Sequence, residues 1–397
     1  MDFFQHRYYS RNKILLTFIG QWPYQTTVAR RGFNALTFFL ATCQVVPQLL
    51  AVVKYRNDWN IFLDCVPPLM FVTVSFAKFI SSAWNSRKML TLLNRIRTDW
   101  QVWTPDPEVN ILHEYAERGR KMTTMYAAAI YTSGILFITQ PVIPKIIDVF
   151  LKNGSEPGEF PIIVDYYRLD PQKYYFYIIT YTYVCVSEGL LVTMALDSIL
   201  IVCVQHGCGI FAALGHKLEQ IGENERASKS GQAAHALDKR DVDFENIATC
   251  VDRHNDAIEY ADLIETSYSW CFLIIVGCDM LVISITGLQV FTRVNDPQST
   301  VRFVCFAFAQ MMHLYLKSYM SQILLDHSIS IRYYIQNGRW YRLSLKSQKL
   351  LNMMVMRCNV PCKLTAGKIV VMSVETFAMV RTTTSLKRYV IRVDRLN

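Results

Sequence analysis

The chain runs to 397 residues, of which 52% are hydrophobic and only 18% charged, and its mean hydropathy is +0.17. A soluble protein carries nearer a quarter charged residues, so a string of soluble domains is excluded and the deficit points to a surface that faces lipid. The formal net charge of +9 is unevenly spread along the chain, which bears on orientation.

Residues 1–32, which open "MDFFQHRYYSRNKILLTFIGQWPYQTT", hold charges but no apolar core and no small-residue cleavage site. No secretory signal peptide is expected there, and the first span can act as its own signal. A helix needs roughly 20 predominantly apolar residues to cross the hydrocarbon core. Stretches of that kind fall at 33–53, 61–83, 122–144, 174–204, 265–291, 300–325 and 366–390. Irregular backbone cannot face lipid, so all seven read as helices and the fold class is an all-α polytopic membrane protein.

With the N-terminus on one side, the loops on that side hold 25 Lys and Arg, and those on the other side hold nine. Positive charge stays inside, so the N-terminus is expected to be cytoplasmic and the C-terminus extracellular. The sequon "NGS" makes Asn153 a candidate glycosylation site, and it falls in an outer loop, in agreement with that topology.

Between spans four and five, "DFENIATCVDRHNDAIEYADLIETSYSW" places Ile247, Val251, Ile258 and Leu263 at helical intervals. That pattern predicts cytoplasmic helical extensions that need a partner surface, as in an anchor or assembly domain. The chain then divides into a cytoplasmic segment (1–32), six spans with their extensions (33–325), cytoplasmic anchor helices (326–365), and a seventh helix with a short tail (366–397).

Charges inside spans need partners or water. Lys78 and Lys317 lie near span ends and are expected to snorkel to the interface. Glu188 and Asp197 sit about 14 Å apart along span four. Lys368 and Glu375, seven residues apart, would share a face if 366–390 is one helix.

Cys43, Cys185, Cys203, Cys271, Cys278 and Cys305 fall in apolar runs and read as small hydrophobes. Cys358 and Cys362 have no neighbouring histidines, so no metal and no cofactor is expected. His206, His216, His254, His313 and His327 share neither metal spacing nor a nucleophile, which argues against an enzyme.

Four segments, "GQWP", "DRHNDAIEYADLIE", "NGRWY" and "PCKLTAGKIVVMSVETF", resemble in that order motifs of the insect odorant receptor family. "GQWP" (Gly20–Pro23) looks like its G-x-W-P before span one. "DRHNDAIEYADLIE" (Asp252–Glu265) looks like its segment leading into span five, and "NGRWY" (Asn337–Tyr341) matches an aromatic pair before span seven. "PCKLTAGKIVVMSVETF" (Pro361–Phe377) is the most specific and resembles P-L-x-L-T-A-G-K-F-x-x-L-S-L-E-x-F. The terminal T-Y…Q-F pattern of gustatory receptors is absent. The loop between spans four and five is shorter than in the odorant co-receptor, so a ligand-specific tuning subunit is expected. Ser385, Leu386, Lys387 and Arg388 stand where the family usually has S-Y-S-Y.

The resemblance implies a ligand-gated, non-selective cation channel, formed as a heterotetramer with co-receptor subunits in the plasma membrane of olfactory sensory neurons. Its partners would be volatile odorants, co-receptor subunits and membrane lipid, not nucleic acid. It implies an odorant cavity among spans two, three, four and six. Candidate residues there are Phe71, Val74, Ser133, Gly134, Phe137, Tyr183, Ser187, Phe306 and Gln310. On a helix over 366–390, about 37 Å long, Met372, Met379, Thr383, Leu386 and Val390 form a stripe that would face the pore, with Asp394 at its mouth. The alternatives are a gustatory-type chemoreceptor channel and a seven-helix metabotropic receptor. Against the latter, the charge bias is reversed and no D-R-Y or N-P-x-x-Y pattern occurs.

Overall fold

A computed structural model of the chain describes residues 3–103, 106–139, 143, 160–166, 170, 173–221, 233–293 and 297–379. After a 3-10 turn at Phe3–Gln5, nine longer α-helices follow among the described residues: α1 Ser10–Phe18, α2 Thr27–Lys54, α3 Trp59–Trp84, α4 Ser86–Val102, α5 Asp106–Thr139, α6 Tyr175–Gln220, α7 Ala233–Thr292, α8 Pro297–Asn337 and α9 Leu345–Cys358. A two-stranded antiparallel hairpin comes next. Its strands are β1 (Thr365–Ala366) and β2 (Val370–Val371), and a last helical stretch spans 374–379.

Among the described residues, five helices are long and apolar enough to cross a membrane: α2, α3, α5, α6 and α7. The sixth expected span lies within α8, which is long but buries Gln310, His313, Lys317, Ser318 and Ser321 and so falls short in apolarity. Most of the seventh expected span lies outside the described residues.

α6 is the central post. Its apolar stretch is 78% buried, against at most 39% for the other four helices. The outer helices turn apolar side chains outward instead; Phe38, Phe39, Val46 and Val53 of α2 are all exposed, as lipid-facing residues would be. At 46 and 60 residues, α6 and α7 reach about 69 and 90 Å, far beyond a ~30 Å hydrocarbon core. Ile247 and Ile258 of α7 are buried and Val251 and Leu263 half-buried, as their spacing predicts.

The N-terminal segment packs onto this bundle. Phe4, Tyr9, Leu16, Ile19 and Trp22 are all buried, with Phe4 meeting Trp22 edge to face at 5.2 Å. Gly20 makes the tight turn before α2. Its φ is +71°, and a Cβ there would lie 2.6 Å from the Asn34 backbone nitrogen, so no other residue fits without strain.

The largest departure from expectation is at 365–373. "TAGK" is not helical; it turns the hairpin, with Gly367 (φ +63°) and Lys368 (φ +60°) both left-handed. Ser373 caps the next helix, accepting from the Thr376 N–H at 3.0 Å. The expected helix over 366–390 therefore begins only at Val374. Lys368 and Glu375 do not share a helix face, and Met372 lies outside the helix, buried before its cap.

Candidate functional site

The central cavity lies between α2, α3, α5, α6 and α8, with a volume of about 60 Å³. That is several times what one water needs. Its walls are mostly apolar. Pro68, Phe71 and Val74 come from α3, Ile130, Gly134 and Phe137 from α5, and Val186 and Leu190 from α6. Phe306 and Ala309 come from α8. α6 presents Val186, Leu190 and Thr193 because residues four and three apart share a helix face.

Seven of the nine residues expected at a ligand cavity meet here: Phe71, Val74, Ser133, Gly134, Phe137, Phe306 and Gln310. Two do not. Tyr183 sits beside it, its hydroxyl donating to the Ile138 carbonyl at 3.2 Å. Ser187 is exposed and turned off the cavity-facing side of α6. One residue off the Val186–Leu190 face is enough to turn a side chain away. Gln44, Thr193 and His313 line the cavity without having been expected there. Gln44 stands on a helix outside the expected set, and His313 looks isolated in sequence.

Gly134 makes room for close helix contact; a Cβ there would lie 2.7 Å from Leu190 Cδ1. Phe137 and Phe306, with ring centroids 5.0 Å apart, separate the cavity from a more polar chamber of about 480 Å³. That chamber is edged by Asp64, whose carboxylate accepts from Arg293 at 2.5 Å and from Gln289 at 2.9 Å.

At the other end of the cavity sits a buried ionic network. Asp197 of α6 accepts from Lys78 of α3 (2.9 Å to each oxygen), Lys317 of α8 (3.0 Å) and the Tyr126 hydroxyl of α5 (2.6 Å). His313 of α8 lines the cavity and faces Asp279 of α7 through Nδ1 at 2.9 Å and Lys78 through Nε2 at 2.6 Å. A neutral ring protonated on Nδ1 satisfies both neighbours: it donates to the carboxylate and accepts from the ammonium. Two ammonium groups then balance two carboxylates.

Every charged member is less than 5% exposed. Lys78 and Lys317 therefore do not snorkel to an interface, as their positions near span ends suggested. The cost of burying each charge is offset only by its partners, and those partners come from other helices, where sequence spacing cannot show them. Glu188 differs from Asp197: its Oε1 is enclosed without a hydrogen-bond partner, and it does not line the cavity.

The hairpin is tied to α7. The Gly367 N–H donates to the Ser269 carbonyl at 2.8 Å, and a Cβ on Gly367 would strike Leu273 Cδ2 at 2.7 Å. Glu265 accepts from the Thr365 backbone N–H at 2.7 Å and from its hydroxyl. Of the expected pore stripe, Met379 is exposed on the last described turn. Thr383, Leu386, Val390 and Asp394 lie outside the described residues, as does Asn153.

Among the described residues, no three His, Cys, Asp or Glu side chains are placed to hold a metal ion. Cys358 Sγ lies 3.9 Å from His254 Nε2, and burial pushes the thiols of Cys358 and Cys362 up to about 11.

Comparison with known proteins bears on the whole chain. A family model described as "7tm Odorant receptor" matches residues 59–384. Odorant receptor 67a of Drosophila melanogaster is 20% identical over 383 residues, covering 91% of this chain and 89% of its own. Odorant receptor 13a of the same fly is 22% identical, covering 81% and 77%. The structure of the olfactory receptor OR5 from Machilis hrabei in complex with eugenol superposes with a TM-score of 0.78 at 12% identity, over 98% of this chain and 97% of that one. The same receptor without that ligand named gives 0.76 at 13% identity.

Proposed function

The chain belongs to the insect odorant receptor family, and on that footing we propose that it is a tuning subunit of an odorant-gated, non-selective cation channel, assembled with co-receptor subunits as a heterotetramer. The observation that carries this reading is the mostly apolar cavity among the helices of a multi-pass bundle. A volatile odorant offers few hydrogen bonds, so shape and apolar contact supply most of its recognition. The gustatory-type and metabotropic alternatives are not favoured by the family match.

In this reading the cavity end faces outward and the N-terminus, the extended ends of α6 and α7, and α9 lie in the cytoplasm of an olfactory neuron. α9 and its flanks leave Leu345, Met353, Met356 and Val360 exposed beyond the span region. Apolar exposure of that kind supports packing against neighbouring subunits. In this reading the helix starting at Val374 belongs to the pore-lining segment; Thr383, Leu386, Val390 and Asp394 of the expected stripe lie outside the described residues.

Gating requires the ligand to favour one conformation over another. The cavity, through His313, contacts Asp279 on α7; ten residues along the same helix, about 15 Å away, Ser269 holds the hairpin that precedes the pore helix. A shift of α7 relative to α8 therefore moves the base of that helix. The test is expression with and without the co-receptor, recording currents across an odorant panel. Silence alone and odorant-evoked current in company support the proposal. Current from this chain alone contradicts the tuning-subunit reading, and silence in both contradicts the channel.

A further inference from the structure

Five polar side chains line the cavity, and three already have partners. The Ser133 hydroxyl donates to the Ala129 carbonyl at 2.8 Å, and Thr193 Oγ1 shares a hydrogen bond with Ser75 Oγ at 3.0 Å. Both ring nitrogens of His313 face the ionic network. Gln44 and Gln310 differ. They are 6% and 7% exposed, and neither side-chain amide has a hydrogen-bond partner among the described residues. Gln44 Oε1 is fully enclosed with nothing to accept from. The neighbouring Gln48 amide is also unpaired. It lines a void of only about 10 Å³, which Gln44 borders too, room for little more than a water. Of the two, only Gln44 also reaches the larger cavity.

Each amide brings both donors and acceptors, and exchanging its oxygen and nitrogen leaves that inventory unchanged. A buried polar group left unmade weakens the complex that leaves it so. A hydrocarbon ligand would strip both amides of water and return nothing. An ether or ester accepts only, which serves the NH2 groups and leaves the amide oxygens unmet. A hydroxyl both donates and accepts. A cavity of about 60 Å³ leaves a ligand that fills it little room to stay clear of both side chains.

We propose that Gln44 and Gln310 select a hydroxyl group, and that the ligands of this cavity are compact alcohols and phenols. Gln44 is then a specificity residue contributed by α2, outside the four spans to which the family resemblance assigns the cavity. The inference rests on the odorant-receptor reading above. It is related to the chemistry that makes sites built for a hydroxyl reject analogues lacking one.

The test uses the co-expressed channel and a panel of linear, branched and aromatic alcohols, each paired with its methyl ether and parent hydrocarbon. Alcohols should be more potent than their partners by roughly tenfold or more. Gln310→Leu and Gln44→Leu should each erase much of that preference while sparing the hydrocarbons. The near-isosteric Gln310→Met and Gln44→Met guard against loss by misfolding, and a co-receptor agonist confirms that the channels reach the surface. Equal potency of alcohols and ethers, or a preference that survives both substitutions, overturns the hydroxyl inference and leaves the odorant-gated reading standing. No response to any panel member, with the co-receptor agonist still effective, overturns both.

Discussion

Removing the charge of Asp197 should be among the most damaging single substitutions in the molecule. Asp197→Asn keeps the shape but leaves Lys78 and Lys317 facing each other, both less than 5% exposed, with only Asp279 to balance them. Breaking a buried pair by removing one partner costs about 3–5 kcal/mol. If the network works as a charge balance, deleting one ammonium with the carboxylate should recover part of that loss. Asp197→Asn combined with Lys317→Met should cost less than the sum of the two singles by roughly 1.5 kcal/mol or more. The assay is chemical unfolding of the intact co-assembled receptor in mixed micelles, run as a four-point cycle. Singles that add to within about 0.5 kcal/mol, or an Asp197→Asn variant as stable as the parent, would refute the reasoning.

Three more substitutions probe other parts of the molecule. Gly367→Ala forces an L-residue to φ +63° and sets a Cβ 2.7 Å from Leu273; it should cost about 1–2 kcal/mol from backbone strain alone and reduce odorant-evoked current, with Leu273→Ala restoring part of it. His254, on α7 beyond the expected span, is pushed down to about 4 by burial and by nearby Arg357. Its unfolded form therefore binds more protons between pH 6.5 and about 4, so stability is full above that window and falls as pH drops through it, by on the order of 3 kcal/mol at most. His254→Leu should flatten the acid limb of an unfolding profile. Phe306→Ala opens the partition with Phe137 between the cavity and the more polar chamber, and dose–response curves should shift toward bulkier odorants.

Much of the architecture is legible in the sequence because it rests on local signals. Helical apolar runs, the amphipathic start of α7 and the stop before Pro361, where α9 ends at Cys358, are all properties of neighbouring residues. The illegible part depends on contacts between distant segments. Lys78, Asp197, Asp279, His313 and Lys317 look like scattered liabilities until four helices bring them together. The hairpin at "TAGK" reads as helix in the sequence because its surroundings are apolar enough; Gly367 alone is a turn signal, and nothing local announces that Lys368 also takes a positive φ. Seven of the nine expected cavity residues reach the cavity because the family resemblance and helix phase agree there. Ser187 fails by one residue of phase, and Gln44 escapes because its helix is not among the four that the resemblance implies.

Odorant action in the central cavity is the claim most open to direct test. Ala309 lines that cavity, half-buried, and Ala309→Phe would fill much of its volume. In the co-expressed channel this substitution should abolish or strongly right-shift odorant-evoked current while a co-receptor agonist still opens the pore. Odorant responses of unchanged potency in a variant shown to reach the surface would contradict that placement.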